Sequence, residues 1–560
     1  MKNSLENLEK KLKFTEFGFT LIELLSIISI LAIIALIATP IILNVINDSK
    51  LESNKISLNN YAAAVKKAML LYNLQNEQDP KKFSDIEEFI TYEGAEIQCD
   101  TAILYDNSNF YMERCKVNGK LVPDFSYGVF EADEEGVKID IPQEMTPVIY
   151  KNGNWEIADT TKEWYSYNRQ EWANVVILND GVSSDPGTKI YPSGDKTNIK
   201  AMFVYIPRYS YTIGNTFGVQ LTGGSVPSIE TPGAIDIKFI GSSIKDLGTA
   251  SYTGNVVSNW YTHPAFTFGA KELEGIWVGK FELSHTTLTS TEGNNLACVN
   301  ENCEIADGLR VLPNVSSLRN NDVANFFYAI RSMGRNGNGF GIQNDVHLIK
   351  NSEWAAVAYL TQSKYGKYGN LNYEGINKEI YQNKSSKYIT GLSNGTPSQE
   401  SINTQCEYDN VKSNCGIGAS TTGNITGIYD MSGGSWEIVM GALLDDNGNP
   451  KAGNTVNYNS GFKGILNTGG PKEDGADIPE SKYYDGYILS DTNNKGHAFS
   501  ETSNWYVDYE DYFAKTKPWM KRGGVHYIGD LPVTHAGIFA AYKITGGLTD
   551  NTSTRIVLVK

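Results

Sequence analysis

Six cysteines fall into three close pairs along the 560-residue sequence: Cys99 with Cys115, Cys298 with Cys303, and Cys406 with Cys415. Thiols in local couples can oxidise to disulfides that staple loops, or can bind zinc. Zinc would need four converging ligands, and these spacings offer neither paired C-x-x-C motifs nor a nearby histidine. The pattern therefore favours disulfides in an oxidising compartment. The histidines, His263, His285, His347, His497, His526 and His535, are scattered and form no H-x-x-x-H or HExxH pair. No Ser-His-Asp arrangement, paired-carboxylate signature or phosphate-cradling glycine loop stands out. Asp445-Asp446-Asn447-Gly448-Asn449 offers oxygen ligands at Asp445, Asn447 and Asn449, which makes calcium a candidate cofactor. However, Val456 stands where an EF-hand needs its Glu, and Asp-Asn-Gly is a strong β-turn sequence by itself. The remaining chemically odd residue is Glu23, which precedes an uncharged run from Leu24 to Ile46.

The element that must carry Glu23 is the N-terminal apolar stretch. The first 18 residues are polar and contain Lys2, Lys10, Lys11 and Lys13. The apolar run after them is long enough to cross a bilayer as a helix, so a single-pass cytoplasmic membrane protein is expected before any assembly. A plain secretory signal would be shorter and would end in a small-x-small cleavage site, which is absent. An ordinary anchor gives no reason for a carboxyl group in hydrocarbon, where it costs several kcal/mol without a partner.

Gly18-Phe19-Thr20-Leu21-Ile22-Glu23 resembles the prepilin leader of type IV pilins and type II secretion pseudopilins, whose pattern is G-F-T-L-I-E. The resemblance implies that a prepilin peptidase cuts between Gly18 and Phe19 and methylates the new terminus. Glu23 would then serve filament assembly, pairing with the α-amino group of a neighbouring subunit and offsetting part of both desolvation costs. Pro40 would loosen or kink the helix by removing a hydrogen bond. Residues 19–78 are expected to form the transmembrane and assembly helix, its second half being carried by the near-helical spacing of Ile56, Tyr61, Val65, Met69 and Tyr72.

Beyond Pro80 the pattern turns to short strands. Thr101–Tyr105 and Phe110–Glu113 flank a turn signal, and Asn118-Gly119 is another. Residues 79–144 are read as a small antiparallel pilin-type sheet stapled by Cys99 and Cys115, and 145–200 as a connecting region. The sequence contains 53 glycines and 33 tyrosines against 21 phenylalanines, a mixture suited to short strands and many turns rather than a helical bundle. A formal charge of −16 argues against nucleic acid as a partner, since phosphate neutralisation requires a basic face.

Landmarks then recur along 201–560. They are Ala201–Ile213, Gly275–Glu282, Val346–Ala358, Gly427–Glu437, Lys521–Gly524, and Arg555 near the end. In this order they resemble the sulfatase-modifying-factor (formylglycine-generating enzyme) family, a branch of the C-type-lectin fold. Gly427–Glu437 matches best and departs at Gly434 and Ser435, where the family has Asn-Val. The residues themselves read as scaffold: Glu353, Trp354, Asp430, Trp436, Glu437, Gly523, Gly524 and Arg555. Ser352 is placed to cap a helix whose Trp354, Val357 and Leu360 bury. Gly433-Gly434 suits a turn that only glycine adopts cheaply. Arg555 is expected to bridge an internal carboxylate, Glu437 or Glu353.

The oxidase branch of that family needs cysteines near the C-terminus. The matching stretch here is Gly537-Ile538-Phe539-Ala540-Ala541, without a thiol, so a non-enzymatic head is expected. The fold class expected is α+β: a long N-terminal hydrophobic helix with a small antiparallel sheet, followed by a large C-type-lectin-like domain. The function expected is a minor, tip-located pilin-like subunit with an adhesive or ligand-binding head. Its partners would be other pilins, the assembly machinery, the prepilin peptidase, the membrane, and a glycan or surface-protein ligand. A structural type II secretion pseudopilin, or a tethered enzyme on the same scaffold, are the alternatives.

Overall fold

The computed structural model describes residues 50, 53–76, 80, 83–104, 110–122, 126–127, 137, 139–213, 234–244, 249–252, 255–288, 296–335, 340–369, 378–393, 407–409, 416–445, 460–462, 466–467, 470–471, 476–489, 494–503, 505–526 and 536–560. Gly18, Phe19, Glu23, Pro40, Cys406, Cys415, Asn447 and Asn449 lie outside these. The chain divides into two compact units, 1–133 and 134–560.

In the first unit, residues 53–76 form a helix (α1). Leu58, Ala62, Val65 and Met69 recur at steps of four, three and four, so they share one face, and all are fully buried. They pack with Phe110, Met112, Cys115 and Val117 of a small sheet. In that sheet β1 (Ile97–Leu104) pairs antiparallel with β2 (Phe110–Val117). Cys99 and Cys115 face each other across the two strands and are joined by a disulfide. Ile56, by contrast, is 60% exposed, while Val65 and Met69 of the stripe read off the sequence are fully buried and Tyr61 and Tyr72 pack against the same core.

The expected long hydrophobic helix is corrected here. Among the described residues no helix is long and apolar enough to cross a membrane. α1 buries only one face and carries Lys55, Lys66 and Lys67, so it is not a spanning helix, and the apolar run Leu24–Ile46 lies outside the described residues. The described fold is dominated by sheet, with few helices, and the single-pass membrane assignment finds no support among the described residues.

The second unit is built on an eight-stranded antiparallel sheet. Its strands are β3 (Thr146–Lys151), β4 (Asn154–Ile157), β5 (Asn174–Leu178), β6 (Lys189–Ile190), β7 (Ile199–Pro207), β8 (Gly275–Gly279), β9 (Asp345–Leu348) and β10 (Ile556–Val559). The order across the sheet is β9-β10-β8-β7-β5-β3-β4-β6. Residues 145–200 therefore supply four of its strands. β7 reads IKAMFVYIP, a continuous apolar run of the kind a central strand needs, and all but Lys200 is buried. Trp277 of β8 meets Tyr205 of β7 on one side and Leu558 of β10 on the other.

A second, mixed sheet contains β11 (Trp436–Leu443), β12 (Asp485–Tyr487), β13 (Glu510–Asp511), β14 (Trp519–Arg522), β15 (Ala541–Ile544) and β16 (Thr552–Thr554). Its order is β12-β11-β14-β15-β13, with β16 also against β11. Helix α2 (Asn351–Thr361) is buried on every side, and its Trp354 indole donates to Ile538 O at 2.9 Å. Ser352 does not cap it. Lys350 precedes the helix, and Glu353 reaches back to accept the Lys350 N–H at 2.7 Å. Ser352 instead meets the carboxylate of Asp485 through its N–H and hydroxyl. Cys298 and Cys303 form the second disulfide, and no described cysteine is free.

Candidate functional site: a basic, aromatic face over a buried acid cluster

Several of the scaffold residues read from the sequence meet in the buried core of the second unit. Arg555 grips Glu437 with Nη2 and Nε at 2.5 and 3.0 Å and spends its other N–H groups on Gly279 O and Tyr429 O. Of the two carboxylates named from the sequence, Glu437 is thus the partner. Glu353 instead meets His347 Nε2 at 3.0 Å. Asp430, at φ 62°, accepts from Gly391 N and Asn383 Nδ2. Glu282 accepts the Ser435 N–H at 2.7 Å. Glu282, Asp430 and Glu437 are all buried with Arg555 among them. Burial raises the pKa of Asp430, and burial together with the charges of Asp430 and Glu437 raises that of Glu282 well above the usual carboxylate range.

Two glycine pairs bring this cluster against the surface loops. Gly433, Gly434, Gly523 and Gly524 all have positive φ, between 69° and 83°. The Gly433 N–H donates to Gly523 O at 2.9 Å, and His526 N donates to Gly434 O at 2.9 Å. A Cβ on Gly434 would stand 2.5 Å from Glu282 Oε1, so no larger residue fits here without moving that carboxylate. Arg522 locks the turn from below through Asn351 Oδ1, Phe539 O, His497 O and Ala498 O.

Above the turns, Trp436, Val525 and Ala540 form a small apolar cluster of their own, flanked by half-buried Tyr388 and Tyr542. Cations lie on these rings, and Lys521, Arg319 and Trp436 are themselves buried, at 5%, 5% and 4% exposure, so only their edges reach the surface beside the half-buried tyrosines. Lys521 Nζ is 4.9 Å from the Trp436 centroid and 5.4 Å from that of Tyr542. Lys517 Nζ is 5.0 Å from the Tyr542 centroid. The Arg319 guanidinium covers Tyr388 at 3.6 Å, and the His526 ring meets the same tyrosine edge-on at 4.3 Å. The Lys521 ammonium makes a 3.5 Å contact to Thr552 Oγ1, while burial and the charge of Lys517 bring its pKa down to about 7. Arg319 donates to Asp550 O.

No family model matches the chain, and no curated protein matches it either.

Chemically, cations seated on ring faces can hold an oxyanion beside a planar or apolar surface. The segment 537–541 runs beside the 523–524 turn and brings only backbone and small or apolar side chains, with Gly537 N donating to Gly523 O at 3.2 Å. Among the described residues no group of three or more His, Cys, Asp or Glu could hold a metal ion, and only Asp445 of the calcium candidates is described. Sequence reasoning missed Glu282, Arg319, Tyr388, Lys521 and Tyr542 as site residues. Lys521 stood inside a motif already singled out and could have been found. Arg319 and Tyr388 come from loops far away in sequence, and no local spacing announces them.

Proposed function

We propose that the chain is a pilin-like filament subunit whose large unit is a binding head, and that the head takes an anionic saccharide on the face around Lys521. The leader-like Gly18-Phe19 and Glu23 support the filament part of this reading. The observation that carries the binding part is the set of cations on aromatic rings: Arg319 on Tyr388, and Lys521 between Trp436 and Tyr542. In a chain of charge −16 such a concentration of cations selects for oxyanions locally. Half-buried tyrosines beside them offer rigid stacking area with little ordering cost. An adhesive role at a filament tip follows, because a head of this size fits there without crowding repeated subunits.

The test is a screen of the full-length chain against neutral, carboxylated and sulfated saccharides, repeated with Lys521→Gln and Arg319→Gln. Retention of acidic sugars, weakened about tenfold by each substitution, is expected for the loss of a charged contact. Retention of neutral sugars alone, or acidic binding indifferent to both substitutions, would remove this assignment.

A further inference from the structure

The strands that open the second unit enclose a space that shares no residue with the face around Lys521. Tyr150 on β3, Trp155 on β4, and Trp164 and Trp172 ahead of β5 line an open cavity of about 310 Å³. Tyr150 and Trp155 meet at 5.4 Å with their planes 64° apart, so they present non-parallel ring surfaces. The Trp172 indole N–H is spent on Tyr365 O at 2.7 Å, leaving its ring rather than its donor for an occupant.

Most polar atoms of the lining are committed elsewhere, the buried Trp155 indole nitrogen being an exception. Asn174 donates to Trp172 O and Thr426 O and accepts from Lys280 Nζ. Thr426 and Asn424 both donate to Gln170 O. A hydroxyl-rich ligand would find few unsatisfied groups here, and its own hydroxyls would lose water without replacement. Lys280 does not line the cavity: its Nζ is enclosed by Asn174 Oδ1, Ile425 O and Gly427 O at 2.7–2.9 Å. The charged residue in the lining is Glu171, whose side chain is 48% exposed and shared with Arg169 at 3.0 Å. Asp409 is close enough to act on the Tyr150 phenol.

We propose that this cavity receives a quaternary ammonium or methylated amine cation, held between the ring faces of Tyr150, Trp155, Trp164 and Trp172 with Glu171 at the rim. Such a group has a diffuse positive charge and few or no N–H donors, so it needs no free acceptor inside. Its methyl groups fill apolar space, and the ring quadrupoles attract its charge within roughly 6 Å. The long-range field of a chain of charge −16 favours a cation at the mouth.

The experiment is calorimetric titration of the full-length chain with choline, with its neutral isostere dimethylbutanol, and with methyl glucoside. Choline is expected to bind at least about tenfold more tightly than the isostere, since charge is the one difference between them. Tyr150→Leu, at the half-buried rim, should weaken choline about tenfold, and Glu171→Gln by a few-fold. Trp155→Leu is not relied on, because a buried indole lost from the core can unfold the unit. Equal binding of the isostere, tighter binding of the glucoside, no choline binding, or rim variants without effect would each overturn the assignment.

Discussion

Arg555 and Glu437 form a two-pronged ion pair with neither side chain exposed, and the same guanidinium also ties Gly279 of the first sheet to Tyr429 ahead of the second. Removing one member leaves the other charge stranded in the core. Arg555→Met should destabilise the second unit by about 3–5 kcal/mol, read as a shift in urea midpoint. Arg555→Met combined with Glu437→Leu should recover much of that loss, because neither charge is then buried. A double variant as unstable as the single one would show that the backbone contacts, not the pairing, matter.

Gly434 and Gly153 offer a controlled comparison. Both have positive φ, 69° and 77°, but a Cβ on Gly153 meets nothing within 4 Å while one on Gly434 meets Glu282 Oε1. Gly153→Ala should cost about 1 kcal/mol, the conformational penalty alone. Gly434→Ala should cost about 3 kcal/mol or more, because Glu282 must also move from its hydrogen bond to Ser435. Similar melting points for the two variants would count against the crowding.

The acid cluster sets a direction for stability against pH. The folded pKa values of Glu282 and Asp430 are raised, so between the unfolded carboxylate range and the folded values the folded chain holds protons that the unfolded chain has released. Stability is therefore highest on the acid side of this window and falls as pH rises from about 4.5, at up to roughly 1.4 kcal/mol per pH unit for each such group. Glu282→Gln should flatten that slope and raise the urea midpoint at pH 7.5 relative to the parent. A slope unchanged by this substitution would exclude Glu282 as its source.

Lys521 gives the binding face its own titration. With a pKa near 7 it carries its charge below neutrality and loses it above. The groups facing it are the rings of Trp436 on β11 and Tyr542 on β15, Thr552 on β16, the like charge of Lys517 and the carboxylate of Asp550. Affinity for an acidic saccharide should therefore drop several-fold between pH 6 and pH 8, since charged hydrogen bonds are the stronger ones. Lys521→Arg, permanently charged, should bind without that step. Dissociation constants measured across this range decide the matter.

Mass spectrometry of the native protein checks the leader. A mature chain beginning at N-methylated Phe19 is expected, and Glu23→Ala should spare processing while lowering incorporation into filaments, because a buried α-amino group would then lack its partner. An intact Met1, or cleavage at another bond, would end the filament reading.

Much of the second unit's scaffold was legible because its residues announce backbone needs. Gly433-Gly434 has positive φ where that pair predicted a turn, and Cys298 with Cys303, like Cys99 with Cys115 in the first unit, pair as their spacing suggested. The β3–β4 hairpin follows from Asn152-Gly153, both at positive φ. Ser352 misled because a good capping residue lies inside the helix, where tertiary bonding to Asp485 outweighs its local preference. The stripe on α1 was legible at Val65, Met69, Tyr61 and Tyr72, and Ile56 alone departs from it, because a single exposed apolar residue is ordinary on a helix surface. Arg319 reaching Tyr388 depends on tertiary juxtaposition and leaves no mark in local sequence, whereas Lys521 lies inside the Lys521–Gly524 landmark and only its ring partner Trp436 had to come from the fold.

β10 lies between β9 and β8, so residues 556–559 bridge two strands made long before them. Until the ribosome has released that segment, each neighbour presents a naked hydrogen-bonding edge to whatever else is nearby. The first sheet of the large unit is therefore complete only once this late strand inserts between its two neighbours, and that insertion is the step most open to mispairing.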